Sequence, residues 1–389
     1  MDVARAMAHD PHGVFARMRE AGPVHSIVAP DGNPAWLVTR YADVQAALGD
    51  PRLSLNKAHA KPGSYKGFEL PPALDANLLN MDPPDHTRLR RLAGQAFTAR
   101  RTASLRGELG RAAQALADGL ATRERVDLVH DFATPFAVGA ISELLGVPAE
   151  SRADFRTWTG AVLGANATRD GIRATVREMY AFFVALLAAK RADPGPDLLS
   201  ALIAARDDED RLSEDELTSL AFLLLFAGYE NSANLISGAL LAMLSDDALR
   251  DTLRADPEAV PVLVEEVARH MSPALLAIRR FPIEDVELGG VLIPAGDTVF
   301  LSIAGANRDP RRYDRPDRVH LERADPARHL SFGQGIHYCI GAPLARLEAE
   351  LAVRTILTRF PNAKRYAPIA WQPSIRVRGL AALPVELGD

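Results

Sequence analysis

The only cysteine of this 389-residue chain, Cys339, lies in a glycine-rich segment whose residue types could carry chemistry. One cysteine cannot form an intrachain disulfide or a zinc site built from several cysteines. A lone cysteine is commonly a small buried apolar side chain. Here, however, Gly333, Gly335 and Gly341 allow the backbone to adopt positive φ angles and to approach a flat ligand closely. The segment therefore indicates a ligand-binding loop around the sulfur.

A helix predicted over about residues 342–359 begins shortly after Cys339, and Pro343 suits its first turn. The positive end of the helix dipole would face the sulfur, and loop amides could donate hydrogen bonds to the same atom. Both effects favour a thiolate. Because no second cysteine is present, such a thiolate suits axial ligation of haem iron, where thiolate donation promotes cleavage of an O–O bond.

The residues around this cysteine resemble the signature of the cytochrome P-450 superfamily of haem-thiolate monooxygenases. That signature has Phe, then Gly at +3, Arg or His at +5, Cys at +7 and Gly at +9. The sequence matches every position with Phe332, Gly335, His337, Cys339 and Gly341. The resemblance implies that Cys339 is the iron ligand, and that the haem b site also includes Gly333 and the other signature residues.

The same resemblance implies a mainly α fold with small β-sheets, in which helices form a triangular prism and haem lies buried between them. A long central helix is part of that fold. The sequence predicts it from a capping box at Ser213 and Glu216, with helical periodicity continuing to about Leu244. At roughly 1.5 Å per residue, this helix would be on the order of 48 Å long. Polar residues interrupt its apolar stretch, which favours a buried helix over a membrane span.

Those polar residues, Glu230, Asn231 and Ser232, would be costly to bury at mid-helix unless they serve a purpose. One alternative is a kink whose polar groups are satisfied locally. By resemblance, Glu230 occupies the position of an acid that helps to lead protons to dioxygen, and Asn231 replaces the Thr that usually follows it. An amide can donate a hydrogen bond, but it cannot relay a proton as a hydroxyl can.

This replacement leaves three explanations open. Ser232 or an ordered water could supply the hydroxyl, the substrate could supply it, or the enzyme could perform an atypical oxidation such as ring formation, coupling or desaturation. A peroxide-driven haem enzyme would need no redox partner and is a rival function, although the retained Glu230 argues against it. A haem-binding sensor is the rival from another class, and the presence of both Glu230 and Cys339 argues against that.

A second block, Asp82–Arg90, resembles the third helix of the family, where His and Arg face the haem propionates. His86 and Arg90 are four residues apart on a predicted helix, so both can reach one anionic edge. An ordinary solvated helix face is the alternative. Arg280 matches a further propionate-binding arginine, although the adjacent Arg279 leaves the register open.

Glu266 and Arg269 look like the Glu-x-x-Arg motif of the family, with Arg318 as its third member. Alone, such an i,i+3 pair on a helix contributes only about 0.3 kcal/mol. By resemblance, the three side chains form a buried, mutually paired network beneath the haem, with a structural rather than a catalytic role. Removal of one partner would leave a buried charge, at a cost of roughly 3–5 kcal/mol.

Members of the family line the substrate pocket with the segment before the third helix, the central helix, and the strand after Glu-x-x-Arg. The resemblance therefore implies that the residues at these positions contact the substrate. The residues at these positions are apolar: Phe68, Leu78, Leu223, Phe226, Ala227, Leu276 and Ile278. They suit a hydrophobic small molecule, although any packed core would show the same residue types. The resemblance to secondary-metabolite tailoring enzymes of the family implies hydroxylation or epoxidation of a substrate such as a polyketide or macrolide.

Helical periodicity dominates the rest of the chain. It predicts further helices over residues 41–49, 85–97, 102–120 and 173–191. Strand patterns are short and lie at residues 24–28, 35–39, 297–301 and within 374–387. No repeat, low-complexity tract or flexible linker divides the sequence, so we predict one domain over residues 1–389.

Composition narrows the possible functions. The 45 basic and 50 acidic residues give a net charge of -5, which argues against a nucleic-acid-coating protein or a polybasic membrane binder. Hydrophobic residues make up 48% and charged residues 24%, as in ordinary globular proteins. The N-terminal segment lacks the apolar core of a signal peptide, and we expect a monomeric cytoplasmic protein.

The sequence contains no cysteine cluster for an iron–sulfur centre and no recognisable flavin domain. The resemblance therefore implies that electrons come from NAD(P)H through external partners, a ferredoxin and a ferredoxin reductase.

Overall fold

The computed structural model describes residues 3–29, 31–65, 72–75, 77–152, 154, 157–158, 169–207 and 212–388. Within these ranges the chain is mainly helical, with five small β-sheets of two or three strands. The predicted fold class is therefore confirmed. Two predicted pocket positions are not covered, because Phe68 and the side chain of Phe226 lie outside the described residues.

The helices begin and end as follows: α1 Val3–His9, α2 Pro11–Ala21, α3 Tyr41–Gly49, α4 Pro72–Asp75, α5 Asp85–Ala96, α6 Ala99–Ser104, α7 Arg106–Leu120, α8 Thr134–Leu145, α9 Arg169–Ala192, α10 Leu198–Asp207, α11 Glu214–Gly228, α12 Glu230–Ser245, α13 Asp247–Ala255, α14 Val260–Met271, α15 Ile303–Ala306 and α16 Ala342–Arg359. The helix predicted over residues 102–120 is thus two helices, α6 and α7, that meet at Leu105.

The strands are equally short: β1 Val24–Val28, β2 Pro34–Val38, β3 Leu53–Ser54, β4 Arg125–Asp127, β5 Phe281–Pro282, β6 Val286–Leu288, β7 Val291–Ile293, β8 Val299–Leu301, β9 Lys364–Arg365, β10 Ala370–Trp371, β11 Leu380–Ala382 and β12 Pro384–Glu386. One three-stranded sheet joins β1 and β2 antiparallel, with β8 parallel to β2. Another places β12 between β4 and β9. All four predicted strand regions are therefore strands, with slightly different ends.

The central helix begins at the predicted capping box, where the Ser213 hydroxyl accepts from the Glu216 amide at 3.1 Å and the Glu216 carboxylate accepts from the Ser213 amide at 2.9 Å. The helix is interrupted at Tyr229, which has φ -103° and separates α11 from α12, so the kink that the sequence leaves open as an alternative is present. A side chain at Gly228 would lie 2.8 Å from Ile141 of α8, so only glycine allows this close approach. The kink therefore lies directly before Glu230, Asn231 and Ser232, the polar residues of the central helix.

α12 is buried on most of its surface and packs against α8, α14 and α16 in the largest apolar cluster of the molecule. This packing brings the central helix, the Glu-x-x-Arg helix and the helix that follows Cys339 together. No helix among the described residues is both long enough and apolar enough to cross a membrane. The organisation of the chain as one domain stays a prediction.

Candidate haem site

The Cys339 loop has the backbone geometry that the sequence predicts. Gly333 and Gly335 adopt φ angles of 73° and 72°, where side chains are strained. The Cys339 amide donates to the Phe332 carbonyl at 2.8 Å, which closes the loop, and α16 starts at Ala342. The loop therefore holds the sulfur at the positive end of an 18-residue helix.

The thiol of Cys339 is exposed at its surface and accepts hydrogen bonds from the backbone amides of Gly341 and Ala342. Although Cys339 is accessible, the protein atoms packed around its sulfur partly desolvate the thiol and raise its pKa, whereas the two amides and the charges of Arg90 and Arg346 act in the opposite direction. A metal ion bound to a thiol deprotonates it. The loop thus supplies the geometry and part of the electrostatic stabilisation that a thiolate ligand needs. A bound metal cation would supply the remaining stabilisation.

The two histidines of the predicted haem site lie together. The ring centroids of His86 and His337 are 4.2 Å apart. His86 is buried, and neither of its ring nitrogens has a hydrogen-bond partner among the described residues. Burial lowers the pKa of His337 to about 3 and also lowers that of His86, and the neighbouring arginines contribute. Both rings are therefore neutral near pH 7.

Two arginines complete this group. Arg90 donates to the carbonyl of Tyr338 at 2.5 Å, next to the cysteine. Arg280 is buried, and the one described hydrogen bond of its guanidinium is a long one of 3.4 Å to the carbonyl of Leu53. Burial lowers the pKa of Arg280 to about 10, so the guanidinium stays charged.

The nearest acid to this group is Asp82, which already accepts from the hydroxyl of Ser54 and from the amide of Leu55. The arginine and histidine donors therefore lack an anion of their own, and buried donors without partners are costly. An anionic edge such as the two propionates of haem would satisfy them. These residues therefore fit haem, because an accessible sulfur and unsatisfied hydrogen-bond donors lie within one site.

The Glu-x-x-Arg pair forms the core of the expected buried network. Arg269 and Glu266 are fully buried and make two hydrogen bonds, of 2.9 and 3.1 Å. The predicted third member is wrong, because the exposed Arg318 contributes only its backbone carbonyl, at 2.8 Å from Arg269. Arg323 supplies the second guanidinium instead, with its Nε 2.7 Å from a Glu266 oxygen. The buried Glu266 carboxylate thus lies between two guanidinium groups.

The kink exposes selected residues of the central helix. Ala227 and Asn231 are exposed although most of their neighbours are buried, and their spacing of four residues places them on one helix face. Glu230 is partly buried, and burial raises its pKa. Ser232 is buried on the other side. The structure thus separates the three predicted catalytic residues, with Asn231 on the open face and Ser232 toward α16.

Sequence reasoning missed one residue of this region. Glu348 of α16 is completely buried, Ser232 lies against its carboxyl group, and neither carboxyl oxygen has a well-formed hydrogen bond among the described residues. Burial raises its pKa to about 8. Helical periodicity gives a usable signal, because Glu348 lies four residues from the buried Leu344 and Ala352 and therefore on an apolar face.

The predicted substrate positions differ in environment. Leu78 and Leu223 are buried in the main apolar cluster, whereas Leu276 and Ile278 are half-buried. Ala227 is exposed beside Asn231. The half-buried and exposed positions are the ones that a ligand could contact without displacing core residues.

Comparisons with known proteins agree with this geometry. A family model for cytochrome P-450 matches residues 165–364. Cytochrome P-450 107B1 of Saccharopolyspora erythraea is 43% identical over 98% of this chain and 96% of that protein. The 6-deoxyerythronolide B hydroxylase of the same organism is 41% identical over 97% of this chain and 96% of that protein. The structure of the tirandamycin C-bound P-450 monooxygenase TamI is similar with a TM-score of 0.91 and 38% identity, over 98% of each chain.

Proposed function

Because this chain belongs to the cytochrome P-450 family of monooxygenases, we propose that it inserts one oxygen atom from O2 into a hydrophobic small molecule, by hydroxylation or epoxidation. The reaction would tailor a secondary metabolite such as a polyketide or macrolide. The 6-deoxyerythronolide B hydroxylase and the tirandamycin C-bound monooxygenase TamI are named with such compounds, and this supports the proposal. The observation that carries it is the Cys339 sulfur at the start of α16, beside donors that lack an anion.

Membership of the family implies haem as the cofactor. When bound, haem supplies the activation of O2, and thiolate ligation promotes cleavage of the O–O bond. Cys339 would bind the iron. His86, Arg90, Arg280 and His337 would bind the propionates, and the flexible backbone of Gly333, Gly335 and Gly341, with Phe332, would hold the sulfur in place. The buried ions of Glu266, Arg269 and Arg323 would fix the chain around this loop.

Residues of the central helix would handle protons and water. Asn231 faces the open side of the helix, where its amide can donate a hydrogen bond and orient a water molecule or a substrate hydroxyl. The Ser232 hydroxyl lies against the Glu348 carboxyl, whose raised pKa leaves it mainly protonated at pH 7. This pair can therefore hold a proton one residue away from the position where the family usually has Thr. Glu230 would be the second acid.

Bacterial P-450 enzymes generally use redox partners. For this chain we propose electron transfer from NAD(P)H through a ferredoxin and a ferredoxin reductase, because no cysteine cluster of its own could hold an iron–sulfur centre. From the composition and charge we also propose that the protein is a monomer in the cytoplasm.

The first test is the CO-difference spectrum of the dithionite-reduced holoenzyme. A thiolate-type band in the wild type that is lost in Cys339→Ala would support the ligand assignment. An unchanged spectrum in the variant would overturn it. Turnover of a macrolide and polyketide library with ferredoxin, reductase and NAD(P)H then tests the reaction, with the product mass increased by one oxygen atom as the expected result.

A second candidate function rests on the exposed Asn231 in place of an alcohol. It is an atypical oxidation, such as ring formation, coupling or desaturation, or a peroxide-driven oxidation. A product without added oxygen would favour the first form. Turnover with hydrogen peroxide that equals the rate with ferredoxin and NAD(P)H would favour the second. Haem that binds ligands without any consumption of electron donor would instead indicate a sensor.

A further inference from the structure

Two arginines near the predicted substrate positions Leu276 and Ile278 lack an acidic partner among the described residues. Arg279 follows the half-buried Leu276 and Ile278 on the same segment, and Arg376 lies in the loop between β10 and β11. Neither forms an ion pair within the described part of the chain, whereas Arg88, Arg106 and Arg346 there each pair with a glutamate. Unpaired guanidinium groups near a ligand-binding region indicate an anionic ligand.

Backbone contacts hold the two residues near each other. The Leu275 amide donates to the Arg376 carbonyl at 2.8 Å, and Ala274 pairs with Val377. The loop of Arg376 is therefore tied to the segment that carries Arg279. Electrostatics agree, because Arg376 acts to lower the pKa of Arg279 through charge repulsion.

The same loop reaches the central helix. Gly379 packs so closely on Asn234 of α12 that a side chain on the glycine would overlap the amide group. Asn234 lies four residues after Glu230 and thus on the same helix face. The charge of Arg376 also acts on Glu230, where it opposes the effect of burial on the pKa. The loop that carries Arg376 therefore contacts both the central helix and the segment of Arg279.

The surroundings of Arg279 leave part of its guanidinium unsatisfied. One nitrogen donates to the side chain of Asn80 at 3.2 Å, and the group lies over the rings of Tyr65 and Phe281, at 4.6 and 5.7 Å. Its buried Nε has no described partner. The nearest acid, Asp75, already pairs with Lys57.

We propose that Arg376 and Arg279 bind a carboxylate of the substrate, so that the substrate is an amphipathic organic acid whose apolar body lies along Leu276, Ile278 and Ala227. Placing an anion between two cations removes their repulsion, and a guanidinium can bind a carboxylate through two parallel hydrogen bonds. The apolar residues then accept the rest of the molecule. This inference rests on the proposed function, and it narrows the hydrophobic substrate to one with an acidic end.

The test compares binding of linear acids of increasing chain length with binding of their methyl esters, by calorimetry on the holoenzyme. We expect at least one acid to bind roughly tenfold more tightly than its ester. That preference should fall to about twofold or less in Arg376→Gln and to an intermediate value in Arg376→Lys, which keeps the charge but cannot form the two parallel hydrogen bonds. Arg365→Gln, which changes an exposed arginine of β9, is the matched control and should retain the preference.

Arg279→Gln should weaken the same preference. If that variant folds poorly, Arg376→Gln still tests the proposal, because Arg376 is exposed. If no acid of the series binds better than its ester, the proposal is wrong. It is also wrong if the preference survives both glutamine substitutions. Because calorimetry does not depend on turnover, failure here is distinct from failure of the proposed function, which would appear as a missing thiolate-type CO band.

Discussion

Glu348 lies against Ser232, and this contact joins the helix that follows the cysteine to the central helix at the residue after Asn231. A completely buried carboxyl group without well-formed hydrogen bonds is costly when ionised, and burial raises its pKa from 4.5 to about 8. Glu348 therefore lowers the stability of the fold when it ionises, and it can hold a proton close to the open face of the central helix.

The first prediction concerns the pH dependence of stability. Because the pKa of Glu348 is higher in the folded than in the unfolded state, its contribution to stability is fully present below about pH 4.5 and is lost as the pH rises toward about 8. Between these values the wild-type free energy of unfolding should fall by up to about 1.4 kcal/mol per pH unit from this group. Glu348→Gln should remove that slope, as measured by urea unfolding of the holoenzyme from pH 5 to pH 8.

Glu350 offers a matched control on the same helix. It pairs with Arg106 and Arg354, which hold its pKa below the usual range. Glu350→Gln should therefore leave the slope between pH 5 and pH 8 unchanged. An identical slope in the wild type and in Glu348→Gln would show that Glu348 is not the titrating group.

The second prediction concerns Asn231, the residue that departs from the family pattern. If its amide only weakens proton delivery, Asn231→Thr should raise the amount of product formed per electron pair consumed, because a hydroxyl can relay a proton. Asn231→Ala is the control, since it removes the amide without adding a hydroxyl. Product and NAD(P)H consumption are measured together. Loss of product in both variants would instead show that the amide positions water or substrate.

The sequence predicts features that depend on local patterns. The capping box at Ser213, the helix after Cys339 and the short strands follow from side-chain spacing and turn residues, and the structure has them. The sequence leaves a kink in the central helix open but cannot decide for it, because the kink accompanies the close packing of Gly228 against Ile141, a contact between distant parts of the chain.

Side-chain partners across loops are less predictable for the same reason. Arg318 and Arg323 are both arginines of one irregular segment, and only the path of the backbone decides which of them reaches Glu266. Helical periodicity places Glu348 on an apolar face, but it does not show how completely the carboxyl group is buried. Burial by other elements, rather than local propensity, determines its pKa.

The third prediction tests the corrected network. Arg323→Gln should lower the free energy of unfolding by about 3 kcal/mol, because it leaves the Glu266 carboxylate with one cation fewer in a buried site. Arg318→Gln should change it by less than about 0.5 kcal/mol, since that side chain is exposed. Urea unfolding of the two variants in parallel provides the measurement. Equal effects would contradict the assignment of Arg323.

The fourth prediction distinguishes the adjacent arginines, whose register the sequence leaves open. Arg280 is buried near His86 and His337, whereas Arg279 stacks on Tyr65. If Arg280 binds a haem propionate, as we propose, Arg280→Gln should release haem roughly tenfold faster than the wild type, because the propionate would lose a charge-assisted hydrogen bond worth about 1.5–3 kcal/mol. Arg279→Gln should release haem at the wild-type rate. Transfer of haem to apomyoglobin, followed by absorbance, measures both rates, and faster release from Arg279→Gln than from Arg280→Gln would reverse the assignment.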